Sequence, residues 1–125
     1  MSRLLIDTHV LLWWLGDDPA LSERARAALA VPTTEPLVSA ASAWEIAIKR
    51  SLGKLEAPDD LPEIISAEGF GWLPVSPGHA WRVRALPHHH GDPFARILVA
   101  QALVEGLPVV TADPHFGRYD VDVRW

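Results

Sequence analysis

The chain has 125 residues, 49% of them hydrophobic and 22% charged, which describes one domain spanning residues 1–125 with enough chain to bury a core. It has no cysteine, so disulfides and thiolate metal sites are excluded. The formal net charge of -5 argues against nucleic-acid binding by bulk charge. It does not argue against an enzyme that holds nucleic acid through metal ions, because an acidic site itself lowers the net charge.

No apolar run approaches the roughly 20 residues that span a bilayer. The start, Met1-Ser2-Arg3-Leu4-Leu5-Ile6-Asp7, meets an acid too early for a signal peptide, and a cytoplasmic location is expected. In chain order, Arg3–Ile6 reads as a buried parallel strand ended by Asp7. The apolar run Val10–Leu15 reads as a buried helix, broken by Gly16-Asp17-Asp18-Pro19. Ser22–Ala30 is a second helix, closed off by Pro32. Leu37-Val38 is a weak strand, followed by a strong helix over Ala43–Leu52 with Gly53 as its stop. A short helix runs from Pro58 to about Ala67. Gly71–Val75 is a Pro-interrupted strand, hence at an edge. Pro77–Leu86 gives another helix. Asp92-Pro93 opens the next, with Asp92 as N-cap and Pro93 as first residue, running to about Glu105 and ended by Gly106. Leu107–Thr111 is a buried strand, and Tyr119–Trp125 holds a last short one. Strands alternating with helices give an α/β fold around a mostly parallel sheet.

In an open parallel sheet, sites form beyond the carboxyl ends of the strands. Asp7 and Asp113 both stand just past buried strands. Glu45 and Asp92 stand near helix N-termini, which usually lie at the same edge. Four carboxylates thus converge on one cleft. Crowded carboxylates repel unless a cation intervenes, and an all-oxygen set selects Mg²⁺ or Mn²⁺. Such a site activates water and stabilises charge on a phosphodiester.

Each acid also has a plainer reading. Asp7 could be a helix N-cap, Glu45 a solvated helix residue, and Asp113-Pro114 a turn starter. Asp92 is better explained as a cap than as a primary ligand. Three adjacent histidines, His88 to His90, cannot all face one ion, and no second His pair stands at zinc-ligand spacing. They read as a loop beside the site that contacts phosphate. There is no Gly-x-Ser-x-Gly elbow and no phosphate-cradling Gly-rich loop. The Val10–Leu15 run and the six tryptophans serve the core, with some left to cover a partner surface.

Four stretches together carry a resemblance: Leu4-Leu5-Ile6-Asp7-Thr8-His9, Ser39 to Lys49, His89 to Ala102, and Val110-Thr111-Ala112-Asp113-Pro114-His115-Phe116. In this order and spacing the chain resembles PIN-domain proteins, and within them the VapC-type toxins of bacterial toxin–antitoxin pairs. The resemblance implies a three-layer α/β/α fold with a mostly parallel sheet between helices, a Mg²⁺ or Mn²⁺ site of three or four acids, and endoribonuclease activity. It also implies dimerisation and a VapB-type antitoxin whose C-terminal segment lies across the toxin, often placing an arginine in the acidic site. Asp7, Glu45 and Asp113 match acidic-site positions. Thr8 and Thr111 are candidates to position water or a metal-bound ligand, and Arg96 to engage phosphate, with a surface salt bridge as its plainer reading.

The chain departs from the family pattern at one position. The family's Asp-Pro-Phe-Asp-Arg is here Asp92-Pro93-Phe94-Ala95-Arg96, so one metal-facing carboxylate is lost. Asp92 lies about 60° around the helix from position 95 and is committed to capping. Two explanations are open: an introduced inactivating change, or a natural residue in a weakened enzyme or a non-catalytic partner. Either implies reduced nuclease activity. A PIN nuclease of RNA maturation or DNA structures is the other enzymatic reading.

Overall fold

The computed structural model describes residues 2–125. Five strands, β1 (Ser2–Ile6), β2 (Thr34–Ser39), β3 (Gly71–Leu73), β4 (Val109–Val110) and β5 (Val123–Arg124), form one sheet in the order β3-β2-β1-β4-β5. Every pairing is parallel. Six α-helices accompany it: α1 (Thr8–Leu15), α2 (Glu23–Ala30), α3 (Ala40–Ser51), α4 (Leu61–Ala67), α5 (Pro77–Arg82) and α6 (Pro93–Glu105). Short 3-10 turns span Val83–Ala85 and Pro114–Arg118.

Alternation along the strands builds the layers, because successive side chains point to opposite faces. Leu4, Ile6, Val38 and Val110 join one core with Val10 and Leu11 of α1, Ala25 and Leu29 of α2, Ile46 of α3 and Ile65 of α4. Leu5, Leu37, Leu73 and Val109 join a second core with Leu98, Val99 and Ala102 of α6 and with Phe116. The sheet is therefore covered on both faces, and its central strand reads as a continuous apolar run. The α/β/α expectation holds.

Element boundaries differ where polar residues hide a helix or strand. α1 starts at Thr8 rather than Val10, and α3 at Ala40 rather than Ala43. Both helices begin directly beyond a strand, so small and polar first-turn residues sit where a turn was read. β2 begins at Thr34 and includes Pro36. Only Leu37–Ser39 pair with β3, so the missing N–H of Pro36 leaves nothing unpaired on that side. α6 ends as read, at Gly106 in the left-handed conformation with φ 66°. Among the described residues, no helix is long and apolar enough to cross a membrane.

From β1 the chain steps to β2 and then β3 on one side, and β4 takes the other side of β1. The strand order therefore reverses between β1 and β4. In open α/β sheets a crevice forms beyond the carboxyl ends at this point.

Candidate functional site

Two acids stand at that crevice. Asp7 directly follows β1, and Asp113 lies three residues beyond β4. A single hydroxyl links them: Thr111 Oγ1 donates to Asp7 Oδ2 at 2.8 Å and accepts the Asp113 backbone N–H at 3.0 Å. One hydroxyl can do both. The Asp7 N–H also bonds the Val110 carbonyl at 3.0 Å, so β1 and β4 lock the two acids to one frame.

Asp7 occupies the N-cap position of α1 but makes no side-chain capping bond. Its carboxylate is turned to Thr111 instead, which forgoes about 1 kcal/mol of capping. A purely capping role is thereby set aside. The carboxyl is 8% exposed, and burial pushes its pKa up, against the Thr111 hydrogen bond and the nearby His9.

Asp113 is treated in the opposite way. Burial alone would raise its pKa, but the hydrogen bonds of the His115 backbone N–H and the His115 and His90 side chains outweigh it, and the carboxyl is held below its ordinary range. His90 Nε2 lies 2.7 Å from Oδ2 and His115 Nδ1 lies 2.8 Å from Oδ1. The Asp92 N–H donates to His90 Nδ1 at 3.1 Å. With Nδ1 used as an acceptor, the ring proton of His90 sits on Nε2 and is donated to Asp113.

A cleft of about 460 Å³ opens between Asp7, His9 and Trp13 on one side and His90, Asp113 and His115 on the other. A second groove, of about 500 Å³, lies between α3, α5 and α6 and is lined by apolar side chains such as Trp44, Phe94 and Ile97. No titratable side chain lines it, so the chemistry belongs to the first cleft.

The other predicted acids do not line the cleft. Glu45 is buried at 4% exposure and its Oε2 accepts from Lys49 Nζ at 2.6 Å. The solvated reading is thus replaced by an inward-facing ion pair. Glu45 lies one helical turn beyond Ser42, whose hydroxyl accepts from Thr8 Oγ1 at 2.9 Å. Thr8 therefore ties α1 to α3 instead of facing the cleft. Asp92 caps α6, accepting the Phe94 N–H at 3.0 Å. Ala95 is 7% exposed and packs in the second core.

Arg96 corrects the sequence reading. It is buried and donates to the carbonyls of Pro87 at 2.9 Å, Val83 at 3.2 Å and Leu86 at 3.4 Å. With its donors spent on the segment after α5, it is not a phosphate ligand.

Sequence reasoning missed the histidine pair. Among the described residues, the ligand atoms of His90, Asp113 and His115 lie within 4.8 Å of one another. One clue was available: Asp7-Thr8-His9 and Asp113-Pro114-His115 both place a histidine two residues beyond a strand-end acid. Of the loop His88 to His90, His90 is the residue that reaches the site, while His89 stacks edge-on against Tyr119 at 5.0 Å.

A cation fits this arrangement. Asp7 and Asp113 offer hard oxygen donors. Asp7 is a buried carboxylate with its pKa pushed up and, among the described residues, no Lys or Arg partner. A cation in the cleft would offset its desolvation.

The PIN domain pattern matches residues 4–122. Ribonuclease VapC22 of Mycobacterium tuberculosis (strain ATCC 25618 / H37Rv) is 30% identical over 122 residues, covering 90% of this chain and 88% of that protein. The fold is similar to VapBC2 from Rickettsia felis bound to a DNA fragment from their promoter, with TM-score 0.73 and 12% identity, covering 98% of this chain and 97% of that one. It is also similar to DNA-bound VapBC from Salmonella typhimurium, with TM-score 0.72 and 19% identity over 98% and 97% of the two chains. By the extent of the pattern match and by the identity to VapC22, the chain belongs to the PIN-domain family.

Proposed function

We propose that this chain, as one domain of residues 1–125, is a Mg²⁺- or Mn²⁺-dependent endoribonuclease. It would act in the cytoplasm as the toxin of a type II pair with a VapB-type antitoxin. One observation carries the reading: two carboxylates of opposite character, Asp7 and Asp113, are tied through Thr111 at the point where the strand order reverses. The ribonuclease name of the VapC22 relative supports the activity. The toxin–antitoxin complexes among the similar folds support the partner.

Asp7 and Asp113 would hold the cation, with Glu45 on α3 as a further candidate ligand and Asp92 reserved for capping. Bound there, a divalent ion would supply charge stabilisation to a phosphodiester and activation of the attacking water. The chain's own residues do the rest. Thr111 fixes the Asp7 carboxylate, and His90 and His115 hold both Asp113 oxygens so that it stays ionised. The buried Ala95 supports a second reading, a catalytically silent partner of an antitoxin.

The test is cleavage of RNA by partner-free protein, comparing this chain with Ala95→Asp in Mg²⁺ and Mn²⁺. The expected result is at least a tenfold faster rate for Ala95→Asp, stopped by chelation. Absence of cleavage by either form, together with tight antitoxin binding by both, favours the silent partner.

A further inference from the structure

The cleft holds one large side chain that the acidic chemistry does not use. Trp13 lines it beside Asp7, His9 and Asp113, on the half-buried part of α1 that follows the buried Val10 and Leu11. It is half-buried, so one part of the indole is anchored and another is accessible. The anchor is visible: Trp125 packs against it at 5.8 Å between ring centres, tilted by 52°, and His9 approaches at 6.1 Å. Trp13, Trp125 and the first core hold the ring in place, so docking a flat ligand on it costs little ordering.

The rest of the lining is also rich in flat rings. His9, His90 and His115 contribute imidazoles, and Pro114 a further ring. A cleft of about 460 Å³ lies within the size range of small-ligand sites. Carboxylates and indole share this cleft, Asp7 and Asp113 standing with Trp13. A nucleotide offers a partner for each, a charged phosphate for an acidic site that holds a cation and a planar base for the indole. Base stacking on aromatic side chains is tolerant of sequence, because every base presents a π-face.

We propose that Trp13 forms a stacking subsite for one unpaired nucleobase next to the scissile phosphate. This rests on the nuclease reading above. An arginine from a bound peptide would also find an indole and two carboxylates here. The base is favoured because the cleft surrounds the indole with three imidazoles, His9, His90 and His115, and flat side chains of this kind stack on the face of an unpaired base.

The experiment is a binding cycle on the full chain, followed by fluorescence anisotropy in Ca²⁺. The probes are a single-stranded 8-mer RNA and the same 8-mer carrying abasic residues. Trp13→Ala is expected to weaken binding of the intact 8-mer by between about fivefold and a hundredfold, and Trp13→Phe to keep most of the affinity. Abasic substitution is expected to weaken the parent chain but to cost Trp13→Ala little. Trp13 also packs on the core, so each variant's thermal melt is recorded. The abasic comparison on the parent needs no variant and keeps the test valid if Trp13→Ala is poorly folded.

Equal abasic penalties in the parent and Trp13→Ala, or no penalty in the parent, overturn the stacking subsite while RNA binding keeps the nuclease reading standing. No binding of either probe overturns both. Retained RNA affinity in a folded Trp13→Ala, with lost affinity for an arginine-bearing antitoxin peptide, assigns the indole to the partner and likewise overturns the subsite.

Discussion

At the scale of single residues, the site is a pair of carboxyls pushed in opposite directions. Asp7 is raised chiefly by burial, whereas Asp113 is lowered because His115 and His90 outweigh its burial. Raised and lowered groups link to folding with opposite sign. For Asp7, the stability tied to the protonated form is present below the unfolded pKa and lost as pH rises through the folded value. Asp7→Asn should therefore melt higher than the parent near neutral pH in chelator, with the gap closing as pH falls through the raised folded value and closed below about 4. For Asp113, the contribution is present above the unfolded pKa and lost as pH falls through the lowered folded value. Asp113→Asn should melt lower near neutral pH, with its gap closing in acid. Thermal melts of both variants from about pH 7 to about pH 3 check the contrast, and gaps of the same sign would refute it. The positions of Asp7 and Asp113 were legible, because a carboxylate after a buried strand is visible in sequence. Their divergence was not, since it depends on burial of Asp7 beside Thr111, 104 residues away, and on His90 joining the local His115 at Asp113.

At the scale of elements, α6 shows how a residue type misleads. Arg96 follows the family-like Asp92-Pro93-Phe94 start and looks like a phosphate hand. In the fold it faces inward and takes the carbonyls of Val83, Leu86 and Pro87. The guanidinium thus completes the backbone where α5 passes into the Val83–Ala85 turn, a role set by three carbonyls of the preceding segment, outside α6. No pattern within α6 itself reveals it. The strand and helix order, by contrast, was legible from apolar runs and Pro or Gly stops, because those signals are local. Replacing Arg96 by Met keeps the stem's packing but leaves these acceptors without their donor. The expected loss is about 1–3 kcal/mol, read as a lower urea midpoint with an unchanged slope. Arg96→Lys should rescue little, because one ammonium cannot span the same acceptors. If Arg96→Met instead kept full stability and lost only RNA affinity, the phosphate role would be restored.

At the scale of the whole molecule, the acids joined at the cleft come from opposite ends of the chain: the Thr111–Asp7 bond spans 104 residues. A cation held there is held by the folded state alone, so binding and stability are linked. Mg²⁺ at about 100 times its dissociation constant would add about 2.7 kcal/mol, a rise of several degrees in Tm for a chain of this size. Chelation should remove that gain, and Asp7→Asn should not show it. Position 95 sharpens the comparison. An aspartate there replaces a methyl that is 7% exposed in the second core, and without a cation it should cost about 1–3 kcal/mol as a buried polar group. Ala95→Asp is therefore expected to melt below the parent in chelator and to gain more than the parent when Mg²⁺ or Mn²⁺ is added. Differential scanning calorimetry of the two proteins, with and without metal, reads both terms at once. A parent Tm unmoved by either ion, with Ala95→Asp equally unresponsive, would mean that the acids at the strand ends do not gather a cation. Charge repulsion in the cleft would then be borne by the histidines alone.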